Sequence, residues 1–234
     1  RGITTLSSSP TPLFAVAKIC KALNLPSFPL NAVQLATNKM LMKESFANFD
    51  VPSPDWIMTD NVNDLAKFVK HANFPLIMKP SAGSMGSQGI ALINNESDAI
   101  RLFQSVKEYS NDSNVIIEKY YSGEEYSIDG IVVGNTPVVL SISKKYNLGA
   151  HYNYTMCGFS INNVSDNNST DVSSLKVASL KAVSAMGISN SFFSVDVLST
   201  EDGPIVLECG ILLDCKVDRL LYYAGLDIYS MVID

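Results

Sequence analysis

The sequence predicts an α+β protein built of two lobes. Three observations carry that prediction. Helical and strand periodicities alternate without a regular βαβ repeat. A glycine-rich loop, Lys79–Gly89, joins two strand-like runs. Further along, two apolar strands each carry one acidic residue, Asp196 and Glu208, on either side of a turn sequence.

The elements follow in order. Leu13, Val16, Ala17, Cys20 and Leu23 recur at helical spacing and predict a helix over 11–24. Pro26 and Pro29 end it, and Thr37 is placed to cap a second helix carrying Lys39 and Lys43. Val51-Pro52-Ser53-Pro54 is an extended linker. A third helix starts at Asn61, and Asn73-Phe74-Pro75 stops it. Strands at 76–79 and 90–93 flank the glycine loop, a helix capped by Asn95 follows, and 115–120 is a strand. Runs 126–133 and 137–143 form a hairpin around Gly134-Asn135. Residues 144–171 read as a polar, irregular connection. A helix over 171–186 and strands at 192–198 and 205–208 come next, and the tail from Cys215 is helical in its second half.

Composition narrows the function. The chain has 234 residues, 47% of them hydrophobic and 17% charged, which suits a folded domain with a large core. Its formal net charge of -6 argues against nucleic acid as a partner, since phosphate neutralisation needs a basic face. No apolar run has membrane-spanning length, and no leader is visible. Cys20, Cys157, Cys209 and Cys215 make no C-x-x-C pair and read as reduced, cytoplasmic thiols. Arg1 opens the chain, which raises the expectation of an upstream domain.

The loop Lys79-Pro80-Ser81-Ala82-Gly83-Ser84-Met85-Gly86-Ser87-Gln88-Gly89 carries little side-chain bulk, so its backbone N–H groups can approach a phosphate. It is neither a P-loop nor a dinucleotide fingerprint, because a strand and not a helix follows it. Lys79 stands beside it as a phosphate partner; an ordinary hairpin loop is the alternative.

For the acidic strands, a three-residue loop Glu201–Gly203 pairs Thr200 with Pro204 and brings Asp196 opposite Glu208 on one rung. Like charges facing across a rung are destabilising unless something bridges them. A divalent cation such as Mg²⁺ would do so; two solvated carboxylates or a shared proton are the alternatives.

With these pieces placed, the chain resembles the ATP-grasp superfamily, in the branch related to carbamoyl-phosphate synthetase and amino-acid ligases. The residues carrying the resemblance are Asn38-Lys39, the Pro52/Pro54 linker, Pro75–Pro80 and the glycine flap, then Ile117–Tyr121, Gly123–Gly130 and the acidic pair. It implies an ATP-grasp fold, two α+β lobes clasping ATP, with residues 1–36 as the end of an upstream α/β domain, 37–117 as the first lobe and 118–234 as the second. It implies that Lys39 and Lys79 contact phosphates, with Lys79 catalytic. Ser84, Gly86 and Ser87 belong to the flap. Glu118, Lys119 and Tyr121 form the adenine hinge, and Glu125 takes the ribose. Asp196 and Glu208 hold Mg²⁺, or Mn²⁺ in its place. The implied activity is a carboxylate–amine ligase that makes an acyl phosphate with ATP. Its partners are a small-molecule carboxylate and an amine; a homo-oligomer and a missing N-terminal domain both stay open. A non-catalytic ATP-binding module and a carbamoyl-phosphate synthetase-like subunit are the alternatives.

One motif departs from the family, in which the second acidic residue opens Glu-x-Asn-x-Arg. Here the run is Glu208-Cys209-Gly210-Ile211-Leu212. Three readings follow: Asp214, Lys216, Asp218 or Arg219 substitutes, with Arg219 taking the catalytic cation's place; residues after Gly210 are absent; or only nucleotide binding remains.

Overall fold

The computed structural model describes residues 3–5, 7, 9–82, 88–147, 156–162, 170–213, 217–228 and 230. Three helices open the chain: α1 (Pro10–Leu23), α2 (Leu30–Thr37) and α3 (Lys39–Asn48). The N-cap of α3 is Asn38, whose side chain accepts from the Leu41 N–H at 3.1 Å. The expected cap, Thr37, instead ends α2, where its hydroxyl donates back to the Val33 carbonyl at 2.8 Å. Asn61 and Asn95 cap as expected, accepting from Asn63 and Asp98 N–H groups.

The first sheet contains β1 (Trp56–Thr59), β2 (Leu76–Pro80), β3 (Ala91–Ile93) and β4 (Val115–Lys119), ordered β1-β4-β2-β3 and antiparallel throughout. Helices α4 (Val62–Val69) and α5 (Glu96–Lys107) cover one face of it. Leu65, Val69, Phe103 and Val106 pack there with Leu76, Met78 and Ile117. β2 alternates as a strand with one buried face must: Leu76 and Met78 enter this core, while Ile77 and Lys79 turn away from it.

The second sheet contains β5 (Glu124–Val133), β6 (Thr136–Asn147), β7 (Met156–Asn162), β8 (Ser191–Thr200) and β9 (Gly203–Gly210), ordered β7-β6-β5-β8-β9. Helix α6 (Thr170–Ala185) packs against β8 and β9. The largest core joins Ile128, Phe193, Val195 and Val206 of this sheet to Leu175 and Ala182 of α6. Val16 and Cys20 of α1, Val33 of α2, and Met42 and Phe46 of α3 enter the same core. Each fully buried Val, Ile, Leu, Phe or Met side chain among them contributes about 1.5–3 kcal/mol. Helix α3, which the resemblance assigns to the first lobe, thus packs with the second sheet.

The linker into the first sheet is tied to the second, where the Val206 N–H donates to the Pro52 carbonyl at 2.7 Å. The Lys119 N–H, donating to the Asp55 carbonyl at 3.1 Å, extends the β1–β4 ladder and brings the two ends of the first sheet's chain together. At Gly123 an added Cβ would lie 2.3 Å from the Ser199 carbonyl oxygen, so the chain leaves the first lobe pressed against β8.

Strands β1 and β7 were not expected from the sequence. β1 is four residues long and half-buried throughout, so it shows no alternation. β7 lies inside the Asn- and Ser-rich stretch read as irregular and pairs with β6 from the sheet edge. Helix α7 (Val217–Tyr223) lies in the first half of the tail; in the second half, expected to be helical, Ile228 and Ser230 are helical among the described residues. Among the described residues no helix is long and apolar enough to cross a membrane.

Gly130 is required by packing. A Cβ there would meet the Val138 carbonyl oxygen at 2.2 Å and Phe193 Cζ at 2.4 Å. Gly130→Ala is expected to cost about 1–3 kcal/mol through overpacking, read as a lowered midpoint in chemical denaturation. An unchanged midpoint would show that the β5–β6–β8 contact relaxes freely.

Candidate functional site

Asp196 and Glu208 are paired across β8 and β9. Ser127 is opposite Asp196 on β5, and Ser143 is opposite Ser127 on β6. One row of the second sheet therefore runs Ser143, Ser127, Asp196, Glu208. The rung arises differently from the expectation. The turn is two residues long: Thr200 pairs with Gly203, and Ser199 with Pro204. A bulge at Leu207 then moves the register by one, between Val197↔Val206 and Asp196↔Glu208. Without it, Val206 and Glu208 would share a face. With it, Val206 and Cys209 both enter the core while Glu208 turns to the side of Asp196.

Both carboxylates are met by lysines. Lys145 on β6 reaches Asp196 Oδ1 at 2.5 Å and Glu125 Oε1 at 3.3 Å. Lys39, the first residue of α3, lies 3.4 Å from Glu208. Burial pushes the Asp196 carboxyl up to about 7; Lys145 opposes the rise, and Glu125 and Glu208 add to it. Glu208 moves the other way: the Lys39 ammonium holds it below the usual carboxylate range against the effect of burial. The two carboxylates of one rung thus move in opposite directions, Asp196 chiefly by burial and Glu208 chiefly by Lys39.

A second charge cluster lies beside the first, at the seam between the sheets. Lys43, one helical turn after Lys39, places Nζ 2.7 Å from Glu118 Oε1, and Lys79 places its Nζ 2.8 Å from the same oxygen. Lys43 makes this contact without a well-aligned hydrogen bond. Burial lowers the Lys43 ammonium to about 8, with Glu118 opposing the shift. Burial alone would raise Glu118, but Lys79 and Lys43 together hold it below its ordinary value.

The Glu118 side chain is buried and engaged with Lys43 and Lys79. Of the hinge, the Lys119 N–H is already bound to Asp55, and the Lys119 ammonium stands 4.7 Å from the centre of the Tyr121 ring. Glu125 also accepts from Asn147 Nδ2 at 2.7 Å. Arg219 is exposed on α7, which packs on Leu140, Phe192 and Leu213; no described contact brings it to the rung. Leu212 packs against the main core. Ser84, Gly86, Ser87, Asp214 and Lys216 lie outside the described residues. A surface concavity of about 430 Å³ between α4 and α5, lined by Asp60, Ile100 and Lys107 among others, shares no residue with the trough.

Residues 37–150 match the family described as phosphoribosylglycinamide synthetase, ATP-grasp (A) domain. That match spans just under half of the chain, and the chain has the ATP-grasp fold. It is 30% identical to D-alanine–D-alanine ligase A of Bacillus cereus over 106 residues, which are 45% of this chain and 34% of that protein. Against dapdiamide A synthase of Enterobacter agglomerans it is 24% identical over 191 residues, covering 78% of this chain and 43% of that one. The crystal structure of L-amino acid ligase from Bacillus licheniformis superposes with a TM-score of 0.80 at 20% identity, over 99% of this chain and 55% of that one. The chain thus spans between a third and about half of these relatives. In this fold the lysines and carboxylates gather where α3 meets strands of both sheets.

Two residues of this ATP-grasp trough were underweighted by the sequence reading. Strand alternation separates Lys145 from Lys144. Ile142 faces the core, so Ser143 and Lys145 face the trough, while Lys144 pairs with Glu124 at the rim. Lys43 was seen only as a helix residue, although its four-residue spacing from Lys39 puts both lysines on one face.

Glu118→Gln would leave two buried ammonium groups without their shared carboxylate. At neutral pH the loss is expected to be about 3–5 kcal/mol, measured by denaturant unfolding. Because the folded Glu118 sits below its ordinary value of 4.5, its contribution is present above that pH and is lost as pH falls through the folded value. The gap between wild type and variant should therefore close in acid; a gap that is constant with pH would contradict the assignment.

Proposed function

We propose that the trough binds Mg-ATP and that the protein is a carboxylate–amine ligase working through an acyl phosphate. The observation that carries this reading is the Asp196/Glu208 rung, flanked by Lys39 and Lys145 and facing the Lys79 cluster. The donor set fits a divalent cation. Two carboxylates share one rung, each drawing a cationic partner, and Mg²⁺ takes one or two carboxylates together with substrate phosphates. When bound there, the metal supplies charge neutralisation at the transferring phosphoryl group.

The chain's own residues do the positioning. Lys79 and Lys39 hold phosphate oxygens from the first-sheet and α3 sides, and Lys145 meets them from β6. Glu125 accepts from the ribose hydroxyls, and the Lys119 stem with the Tyr121 ring borders the adenine. A substrate carboxylate oxygen attacks the γ-phosphorus; the bond to the β-phosphate oxygen breaks and ADP leaves. An amine nitrogen then attacks the acyl carbon, phosphate departs, and the nitrogen gives up a proton. Acceleration comes from alignment and from preorganised positive charge.

A second reading, nucleotide binding without turnover, is favoured by one feature. Gly210 offers no side chain beside the rung, and Leu212 is packed into the core. The two readings separate cleanly in solution. Mg-ATP at 100 times its Kd adds about 2.7 kcal/mol of stability, a rise in Tm of roughly 5–10 °C. The ligase releases ADP only when a carboxylic acid and an amine are both present. Lys79→Ala is expected to lower kcat/KM by roughly 10²–10³. Stabilisation without acid-dependent ADP release selects the second reading, and no Tm shift at all removes both.

A further inference from the structure

The proposed chemistry uses Lys79 but gives no work to the two charged groups packed against it. Lys43 has 0% side-chain exposure, Glu118 has 4% and Lys79 has 12%. Both ammonium groups approach one carboxylate oxygen, so two positive charges share one negative charge where little water enters. An apolar residue at 43 would leave a neutral Lys79–Glu118 pair, which is easier to bury than a cluster with an excess charge. The chain instead carries a lysine on α3, fixed through Met42 and Phe46 in the core of the second sheet and reaching the first sheet. The excess charge is offset once an anion docks on the exposed side, and of the three groups Lys79 keeps the most exposure.

We propose that Lys43 is a positioning residue that shares Glu118 with Lys79, so that Glu118 orients the Lys79 ammonium without cancelling its charge toward a nucleotide phosphate. This rests on reading the trough as a nucleotide site. Lys43 is faced by Glu118 of β4 and Lys79 of β2, and at longer range by Glu208 of β9; Lys39 on its own helix is turned to Glu208. Removing Lys43 lets Glu118 hold Lys79 as a closed pair. Removing Glu118 as well frees Lys79 again.

The test is calorimetric titration of the full chain with the non-hydrolysable analogue Mg-AMP-PNP. Lys43→Met is expected to weaken binding roughly 10- to 100-fold, the size of one charge-assisted contact. Lys43→Met combined with Glu118→Gln should recover most of that loss, which a merely structural role would not do. In the wild type, affinity should fall as pH rises past about 8, where Lys43 gives up its proton. Lys43→Arg, which stays charged, should lack that fall. Binding by Lys43→Met within about twofold of wild type, or a double variant as weak as the single one, overturns the proposal. Should Lys43→Met fail to fold by circular dichroism, a wild-type profile that is flat through pH 8 overturns it instead. If the wild type takes no Mg-AMP-PNP, the nucleotide reading falls and this proposal with it; unchanged variant binding sinks this proposal alone.

Discussion

Charge compensation across the seam between two sheets is the constraint on which this structure depends. Lys39, Lys43, Lys79 and Lys145 meet Glu118, Glu125, Asp196 and Glu208 there, from α3 and from strands of both sheets. None of these groups is stable alone away from water, so each fixes the place of another. The apolar cores hold each sheet to its helices. The charges relate one sheet to the other, and they leave a trough whose walls are already polarised.

The acidic rung was readable from the sequence, though by a route that was partly mistaken. A three-residue turn and an unbroken ladder would have paired 196 with 208. The molecule uses a two-residue turn and restores the same pairing with a bulge at Leu207. The clue lay in the order Val206-Leu207-Glu208-Cys209. Two residues three apart, both apolar enough for the core, cannot share a face of a regular strand, so something between them must shift the register.

Other parts were hidden for identifiable reasons. β1 is too short and too evenly half-buried to announce itself, and β7 is a short run enclosed in a stretch rich in Asn and Ser. The partner of Lys79 was harder still. Glu118 follows three apolar residues of its strand, next to a segment that reads as a hinge. Only the tertiary approach of α3 reveals that its carboxylate faces Lys43. Local periodicity reports which face a side chain takes and stays silent on which helix arrives from forty residues away or more. The alternation separating Lys144 from Lys145 was present in the sequence all along.

The way the first lobe is attached has a wider consequence. Its chain begins beside Asp55 and ends at Lys119, and those two residues are hydrogen-bonded to each other. Pro52 is tied to β9, and Gly123 is wedged against β8. A segment of chain with touching ends, anchored on both sides to the same foundation, behaves like a cassette on a double strap. It can lengthen, shorten or be replaced during evolution while the foundation keeps its shape.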